Sequence, residues 1–206
     1  MKVDFKRELN DLYNPKPGQF TLVNVPTMQY LMVDGAGDPN KVLEYQEAVE
    51  GLYSVSYTLK FHSKKVLSRD YVVPPLEGLW WSDNYDDFRL RRKDKWSWTM
   101  MIMVPDWLGR HEVDEAIGAV RAKKPNIKLE SLRLETLNEG LSAQIMHIGS
   151  YDDEAPTLKE LYDVWLPEKG LKERLKHQEI YIGDPRKTEP SKLKTVLRQP
   201  VMKREE

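Results

Sequence analysis

Two short stretches, YLMVDG at residues 30–35 and QIMHIG at residues 144–149, hold the clearest information about the fold. Each is rich in β-prone apolar residues and ends at a glycine, which is typical of a strand that runs into a turn. Each is followed by a polar turn segment and then by apolar residues at helical spacing. This similarity predicts that one strand-and-helix unit occurs twice in the chain.

The first predicted unit contains one helix among several strands. Two β-prone runs, FTLVNV and MQYLMV, come before the helix. The helix is predicted to begin at Asp38, a favourable N-cap with Pro39 at the first helical position, and to run to about His62. Two further strands are predicted over residues 71–81 and 96–104.

The second predicted unit follows a shorter helix over residues 112–123. Its helix is marked by an apolar stripe at i, i+3, i+4 and i+7, formed by Leu158, Leu161, Tyr162 and Trp165. Its strands are predicted over residues 132–137, 141–148, 177–182 and 194–198. The sequence therefore predicts an α+β fold of tandem duplicated β-α-β-β modules with pseudo-two-fold symmetry around a central ligand cleft, where two half-sheets meet.

The predicted domain organisation has an arm, one domain and a tail. Residues 1–18 form an N-terminal arm that ends in NPKPG, and residues 202–206 form a solvated tail. Residues 19–201 form a single ligand-binding domain. Within it, the first module covers about residues 20–107 and the second about residues 131–201.

Composition restricts the classes of partner. Lys and Arg number 32 against 33 Asp and Glu, a formal net charge of −1, so no basic excess favours nucleic acid or an anionic membrane. No window approaches a membrane span, and the start of the chain lacks the apolar stretch of a secretory signal. We therefore expect a cytoplasmic protein with no membrane partner and no direct nucleic-acid partner. Its oligomeric state is left open.

Local motifs give little further chemistry. The run RLRRKDK at residues 89–95 is the one candidate basic patch; it is expected to be a solvated turn, and Asp86 and Asp87 dilute its charge. The absence of cysteine excludes disulfides and Cys-ligated zinc. No glycine-rich phosphate loop or nucleophile elbow is present, so no cofactor is expected. The unusual feature is six Trp and ten Tyr beside only four Phe.

Strand alternation assigns candidate site residues to the faces of the sheet, and it places one of the consecutive residues Trp80 and Trp81 on each face. In the strand over residues 177–182, His177, Glu179 and Tyr181 alternate with Ile180 and Ile182. We expect the two isoleucines to pack beneath helices, which turns Glu179 towards solvent or a ligand groove. The candidate ligand-binding residues are Trp80, Trp81, Trp96, Trp98, His147 and His177, and the candidate catalytic residues are Glu179, Tyr181 and Tyr57.

These residues allow several interpretations. A carboxylate among aromatic rings is desolvated, so we expect the pKa of Glu179 to rise towards the range of a general base. An ionised Glu179 would instead be a counter-charge for a cationic ligand stacked on the indoles. Aromatic residues at alternating strand positions are also typical of a packed core. His147, His177 and Glu179 suggest a metal site only if their strands are neighbours, and no metal is predicted.

Four long motifs occur in a defined order. They are VPPLEGLWW at residues 73–81, WSWTMMIMVPDW at 96–107, EGLSAQIMHIGSYDDE at 139–154 and HQEIYIGDPRKTEPSKLKTVLRQPV at 177–201. Together they resemble stand-alone members of the GyrI-like small-molecule-binding family, from about Met1 to Val201. The resemblance implies two β-α-β-β modules of the SHS2 type around a ligand cleft, with Glu179 matching a buried glutamate that receives cationic or polar aromatic ligands.

The resemblance also suggests an activity. Some stand-alone members are similar to cyclopropanoid hydrolases, which open the cyclopropane of DNA-alkylating compounds of the yatakemycin and CC-1065 type by adding water. Glu179 would then be the general base, and Tyr57 or Tyr181 would donate a hydrogen bond to the dienone oxygen. The alternative is a non-catalytic protein that binds or sequesters drugs. A protein resembling the gyrase inhibitor is a third interpretation, and the short arm argues against a DNA-binding regulator.

Overall fold

The computed structural model describes residues 2–84 and 92–204, which form a mixed α+β fold. The strands are β1 (Lys2–Val3), β2 (Thr21–Val25), β3 (Met28–Ala36), β4 (Asp70–Tyr71), β5 (Leu76–Trp81), β6 (Ser97–Val104), β7 (Arg133–Leu137), β8 (Gly140–Ile148), β9 (Leu171–Glu173), β10 (His177–Tyr181) and β11 (Lys194–Lys203). The helices are α1 (Phe5–Glu8), α2 (Asn10–Tyr13), α3 (Leu43–Lys65), α4 (Arg110–Lys123), α5 (Ala155–Glu160) and α6 (Leu166–Glu168). A π-helical turn, Leu161–Trp165, joins α5 to α6.

Nine of the described strands form one antiparallel sheet. Its order is β2-β8-β11-β10-β5-β6-β3-β7, and β9 pairs with the end of β11. From the central β5–β10 pair outward, the neighbours are β6, β3 and β7 on one side and β11, β8 and β2 on the other. The α+β class is as predicted.

One face of the sheet, here called the helical face, is covered by helices. The helix α3 packs through Leu52, Val55 and Leu59 against sheet residues that include Trp98 and Ile102. These helix residues lie three, four or seven positions apart, which places them on one stripe of α3. The segment from α5 to α6 covers the far end of the same face, through Leu161 and Leu166 packed against Ala143 and Val201.

The opposite face, here called the back face, is covered in part by the N-terminal arm. The buried side chains of Leu12 and Tyr13 pack there against Met146, Ile180 and Val196. Ile180 therefore packs beneath a helix, as predicted, but this helix is the short α2 of the arm, and the long helix α3 covers the face of Glu179 instead. Alternation shows which residues share a face, but it does not show which face a helix will cover.

The start of α3 and the end of β11 differ from the prediction, and part of the predicted basic loop lies outside the described residues. The helix α3 begins at Leu43 because Asp38 caps a separate turn, accepting a hydrogen bond from the Asn40 backbone at 3.0 Å. Strand β11 continues past Arg198 to Lys203, where it pairs with the unpredicted β9. Asp86, Asp87 and the first three residues of the RLRRKDK run lie outside the described residues. Among the helices that are described, none has the length and apolarity needed to cross a membrane.

Candidate functional site

Glu179 lies at the centre of the helical face and begins a short hydrogen-bonded chain. Its strand partners are Gly78 on β5 and Leu197 on β11, and its side chain is 8% exposed. The Tyr181 hydroxyl donates to Glu179 Oε2 at 2.8 Å, and Trp80 Nε1 donates to the same hydroxyl at 2.9 Å. The carboxylate is therefore held by a phenol, which is itself held by an indole.

Aromatic rings surround this chain. The Trp80 ring meets Trp96 edge to face with centroids 5.7 Å apart, and Tyr45 of α3 meets Trp98 in the same manner at 5.4 Å. Edge-to-face contacts are a favoured geometry for aromatic pairs. On the other side of Glu179, Tyr151 meets Tyr181 at 5.6 Å. We call these six residues the aromatic cluster: Tyr45, Trp80, Trp96, Trp98, Tyr151 and Tyr181.

Two glycines make room for the indoles. A Cβ atom on Gly35 would lie 2.1 Å from the Trp98 ring, and a Cβ atom on Gly78 would lie 2.7 Å from Trp80 Nε1. Gly35 pairs in register with Trp98, and Gly78 pairs with Met100, so both glycines lie on the helical face. The absence of their side chains leaves space on that face for the two indole rings. A larger residue at either position would displace an indole of the aromatic cluster.

The phenols of the cluster keep their protons at neutral pH. Burial raises the pKa of Tyr45 and Tyr181 above the ordinary tyrosine value, and the negative charge of Glu179 raises both further. The pKa of Tyr151 rises to about 12, mainly through burial and then through the charges of Glu154 and Glu179. The site can therefore supply neutral hydrogen-bond donors beside a carboxylate.

A comparison with models of protein families identifies the family of this chain. The model of the GyrI-like small-molecule-binding domain matches residues 18–202. The chain belongs to the GyrI-like family. A search of curated protein sequences finds no match.

Several solved structures resemble the chain over nearly its whole length. An uncharacterised conserved protein from Listeria innocua is 40% identical, with a TM-score of 0.90, over 98% of this chain and 100% of that one. A hydrolase from Listeria innocua is 39% identical, with a TM-score of 0.88, over the same shares of the two chains. The C-terminal domain of EcmrR is 12% identical, with a TM-score of 0.58, over 90% of this chain and 98% of that one, so it shows the fold alone.

Within this GyrI-like fold, two of the predicted site residues lie away from Glu179. Trp81 points to the back face, where it packs with Leu79 and Met101, so it does not share the surface of Trp80. Tyr57 is 50% exposed and stacks on Tyr53. It lies twelve residues beyond Tyr45 on α3, which corresponds to about 18 Å along a helix. Tyr45 is therefore the α3 phenol that lies near the carboxylate.

The two histidines lie on the helical face with bonds of their own. His147 Nε2 contacts the Ser150 carbonyl at 3.0 Å, and His177 Nδ1 contacts the Tyr162 hydroxyl at 3.2 Å. Burial lowers the pKa of His177 to about 3, so its ring is neutral at physiological pH. Among the residues that the structure describes, no cluster of three His, Asp or Glu side chains could hold a metal ion.

The sequence reasoning missed Tyr45 and Tyr151 as site residues. Tyr45 lies within the first predicted helix, and Tyr151 lies in the polar turn segment that follows Gly149. Each phenol comes near Glu179 only through the packing of segments that are distant in the sequence, so local spacing does not indicate it.

Proposed function

We propose that this GyrI-like protein binds flat aromatic molecules over Glu179 and hydrolyses cyclopropanoid DNA-alkylating compounds. The observation that carries the proposal is the chain from Trp80 through Tyr181 to Glu179, set among aromatic rings on the helical face. Similarity at 39% identity to Listeria innocua proteins described as hydrolases supports an enzymatic role. Family membership supports a small-molecule ligand.

Ligand recognition would use the indoles. A flat neutral electrophile buries apolar area by stacking on Trp80 and Trp98, and both rings are fixed by edge contacts to other members of the aromatic cluster. Glu179 is shielded by Tyr45 and Tyr151, so these rings would move aside as the ligand enters. One ring nitrogen of each histidine already has a contact, His147 Nε2 with the Ser150 carbonyl and His177 Nδ1 with the Tyr162 hydroxyl, so a ligand would meet these rings only through their other nitrogen.

The proposed reaction adds one water across the strained ring. The Glu179 carboxylate accepts a proton from water while the water oxygen forms a bond to the cyclopropane methylene carbon. The carbon–carbon bond breaks, and its electron pair moves through the dienone to the carbonyl oxygen, which becomes a phenolate. Tyr181 or Tyr45 would donate a hydrogen bond to that oxygen. The proton on Glu179 then returns to the phenolate through solvent, so the sum is addition of water.

The strand order also supports a proposal that the fold arose by duplication of one module. We propose that residues 20–107 and 131–201 are duplicated modules related by a pseudo-two-fold axis between β5 and β10. The outward strand orders β5-β6-β3 and β10-β11-β8 support this, since each follows the same order along its own module. Glu179 of β10 and Gly78 of β5 would then face each other across the axis.

Turnover of a cyclopropanoid tests the proposed function. The protein is incubated in catalytic amount with the compound, and the ring-opened water adduct is measured by mass spectrometry. We expect product beyond one equivalent, and about 10²- to 10⁴-fold slower turnover in Glu179→Gln with stacking affinity retained. The exposed Glu173→Gln is the matched control and should behave as the parent protein.

The two competing functions give different results in this assay. Quenching of tryptophan fluorescence without turnover would leave a drug-binding or sequestering protein, which is the second candidate. Normal turnover by Glu179→Gln would remove Glu179 as the base while leaving the enzyme in place. Inhibition of DNA supercoiling by gyrase at a molar excess of this protein would favour the gyrase-inhibitor-like interpretation.

A further inference from the structure

The back face contains a cavity that the proposed reaction does not use. Its volume is about 360 Å³, and its walls include Leu79, Trp81, Glu139 and Lys176. Trp80 and Trp81 are consecutive in β5, so their side chains lie on opposite faces of the sheet. A molecule in this cavity would therefore be separated by the sheet from one bound over Glu179.

Glu139 is a buried carboxyl group in the wall of this cavity. It is 2% exposed, and neither carboxylate oxygen accepts a hydrogen bond of ordinary geometry from the described residues, although Arg198 and Gln178 lie close enough to lower its pKa. Its nearest cation is Arg198, whose Nη1 lies 3.5 Å from Glu139 Oε1. Arg198 directs its other nitrogens to Gln144 and to the Leu12 carbonyl. Burial raises the pKa of Glu139, so a further donor would stabilise its ionised form.

The positive groups around the cavity already have partners. Arg133 is paired with Asp34 at 3.0 Å and with Glu135 at 2.8 Å. The Lys176 ammonium lies 3.1 Å from the centroid of the Trp81 ring, which is a cation–π contact. The face of Trp81 therefore already holds a cation, and that cation is on an exposed, flexible side chain.

We propose that this cavity is a second ligand site, for a small organic cation that carries a flat apolar group. The amidinium or ammonium group donates to Glu139, and the apolar group occupies the face of Trp81 after Lys176 turns out to solvent. Binding of an anion is disfavoured, because it would be repelled by the carboxylate of Glu139. Arg133 could not compensate, since it is already paired with Asp34 and Glu135. The proposal goes beyond the hydrolytic function and does not depend on it.

Three probes of equal shape and different charge test this site on the full chain. They are benzamidine, which is cationic, benzamide, which is neutral, and benzoate, which is anionic. Amide NMR spectra locate binding, and we expect benzamidine to shift residues around Trp81, Leu137 and Lys176. Benzamide should bind at least about tenfold more weakly, since it lacks the charge that pairs with Glu139.

Variants separate this site from the one over Glu179. Glu139→Gln should weaken benzamidine at the back face about tenfold. Lys176→Met, at an exposed position, should strengthen it severalfold by removing the competing ammonium, which keeps the test decisive if Glu139→Gln fails to fold. Glu179→Gln should leave back-face binding unchanged. Absence of shifts near Trp81, equal binding of benzoate, or loss of back-face binding in Glu179→Gln would overturn the proposal.

Discussion

The Tyr181 hydroxyl joins the indole of Trp80 to the carboxylate of Glu179, so a single oxygen atom organises the proposed reaction centre. Tyr181→Phe removes that atom and keeps the ring. We expect turnover of a cyclopropanoid to fall about ten- to hundredfold, because Glu179 loses its donor and becomes mispositioned. Ligand affinity, measured by tryptophan fluorescence, should change little.

Tyr57→Phe is the matched control for this prediction. Tyr57 is half exposed and stacks on Tyr53, so loss of its hydroxyl should leave turnover unchanged. A large loss in Tyr57→Phe together with normal turnover in Tyr181→Phe would show that the proposed assignment of the two tyrosines is reversed.

Glu77, on the back face, gives a prediction about pH. It is fully buried, accepts hydrogen bonds from Tyr13 and Gln178, and burial raises its pKa to about 8. The unfolded carboxyl ionises near its ordinary value of 4.5, so between these values the folded state holds a proton that the unfolded state has lost. The free energy of unfolding therefore decreases as pH rises through this window, by up to about 1.4 kcal/mol per pH unit.

Glu77→Gln should remove this part of the pH dependence. Urea unfolding of both proteins, measured at several pH values within the window, should show a shallower decrease in the variant. His177 also contributes to the pH dependence of stability, but its contribution is the same in both proteins and cancels in the difference. The charge of Glu139 acts on Glu77, so the difference between the two proteins reports this coupled pair. Parallel curves for the two proteins would contradict the assignment.

At the scale of secondary structure elements, the pairing of β5 with β10 builds the site through a missing side chain. Gly78→Ala would place a Cβ atom 2.7 Å from Trp80 Nε1 and 3.2 Å from the Met100 sulfur. The Trp80 ring must then move, and its hydrogen bond to Tyr181 is lost. We expect turnover to fall at least about tenfold and the free energy of unfolding to drop by about 1–3 kcal/mol.

A helical glycine supplies the control for this substitution. Gly118 lies within α4, and a Cβ atom there would meet nothing within 4 Å. Gly118→Ala should therefore keep activity and raise stability by about 0.4–1 kcal/mol, because alanine restricts the unfolded chain and favours a helix. Equal losses in both variants, measured by turnover and thermal unfolding, would argue against a specific role for Gly78.

The elements differ in how far the sequence could predict them. Strands β2, β3, β7 and β8 were predicted because alternation and turn residues mark them clearly. Strand β9 was missed because three residues are too few to show a period. The π-helical turn at Leu161–Trp165 was missed because its apolar spacing also fits an α-helix. Asp38 was misread as a helix cap because the same residue types favour an isolated turn.

The candidate site was predictable only within a strand. Alternation correctly grouped Glu179 with Tyr181 and separated Trp80 from Trp81. It could not show that Tyr45 approaches Glu179 while Tyr57 does not, because that depends on where α3 crosses the sheet. Which of several aromatic residues meet is a property of tertiary packing, and local spacing carries no information about it.

At the scale of the whole molecule, Arg198 connects the arm to the back face. Its side chain is 1% exposed, and its nitrogens reach the Leu12 carbonyl at 2.6 Å, Gln144 at 3.1 Å and Glu139 at 3.5 Å. Its charge also opposes the rise in the pKa of Glu77. One buried guanidinium thus compensates two buried carboxyl groups and holds the N-terminal arm.

Arg198→Met tests this central role. The methionine fills part of the space, but it removes the cation that is paired with Glu139 and leaves the Leu12 carbonyl without its donor, so we expect a loss of about 3–5 kcal/mol in the free energy of unfolding. The arm should also become sensitive to limited proteolysis while the sheet remains resistant. The double variant Arg198→Met, Glu139→Gln should recover at least about 1 kcal/mol, since it removes the uncompensated charge. Additive losses in the double variant would show that Arg198 stabilises the fold by packing alone, independently of the carboxylate that it faces.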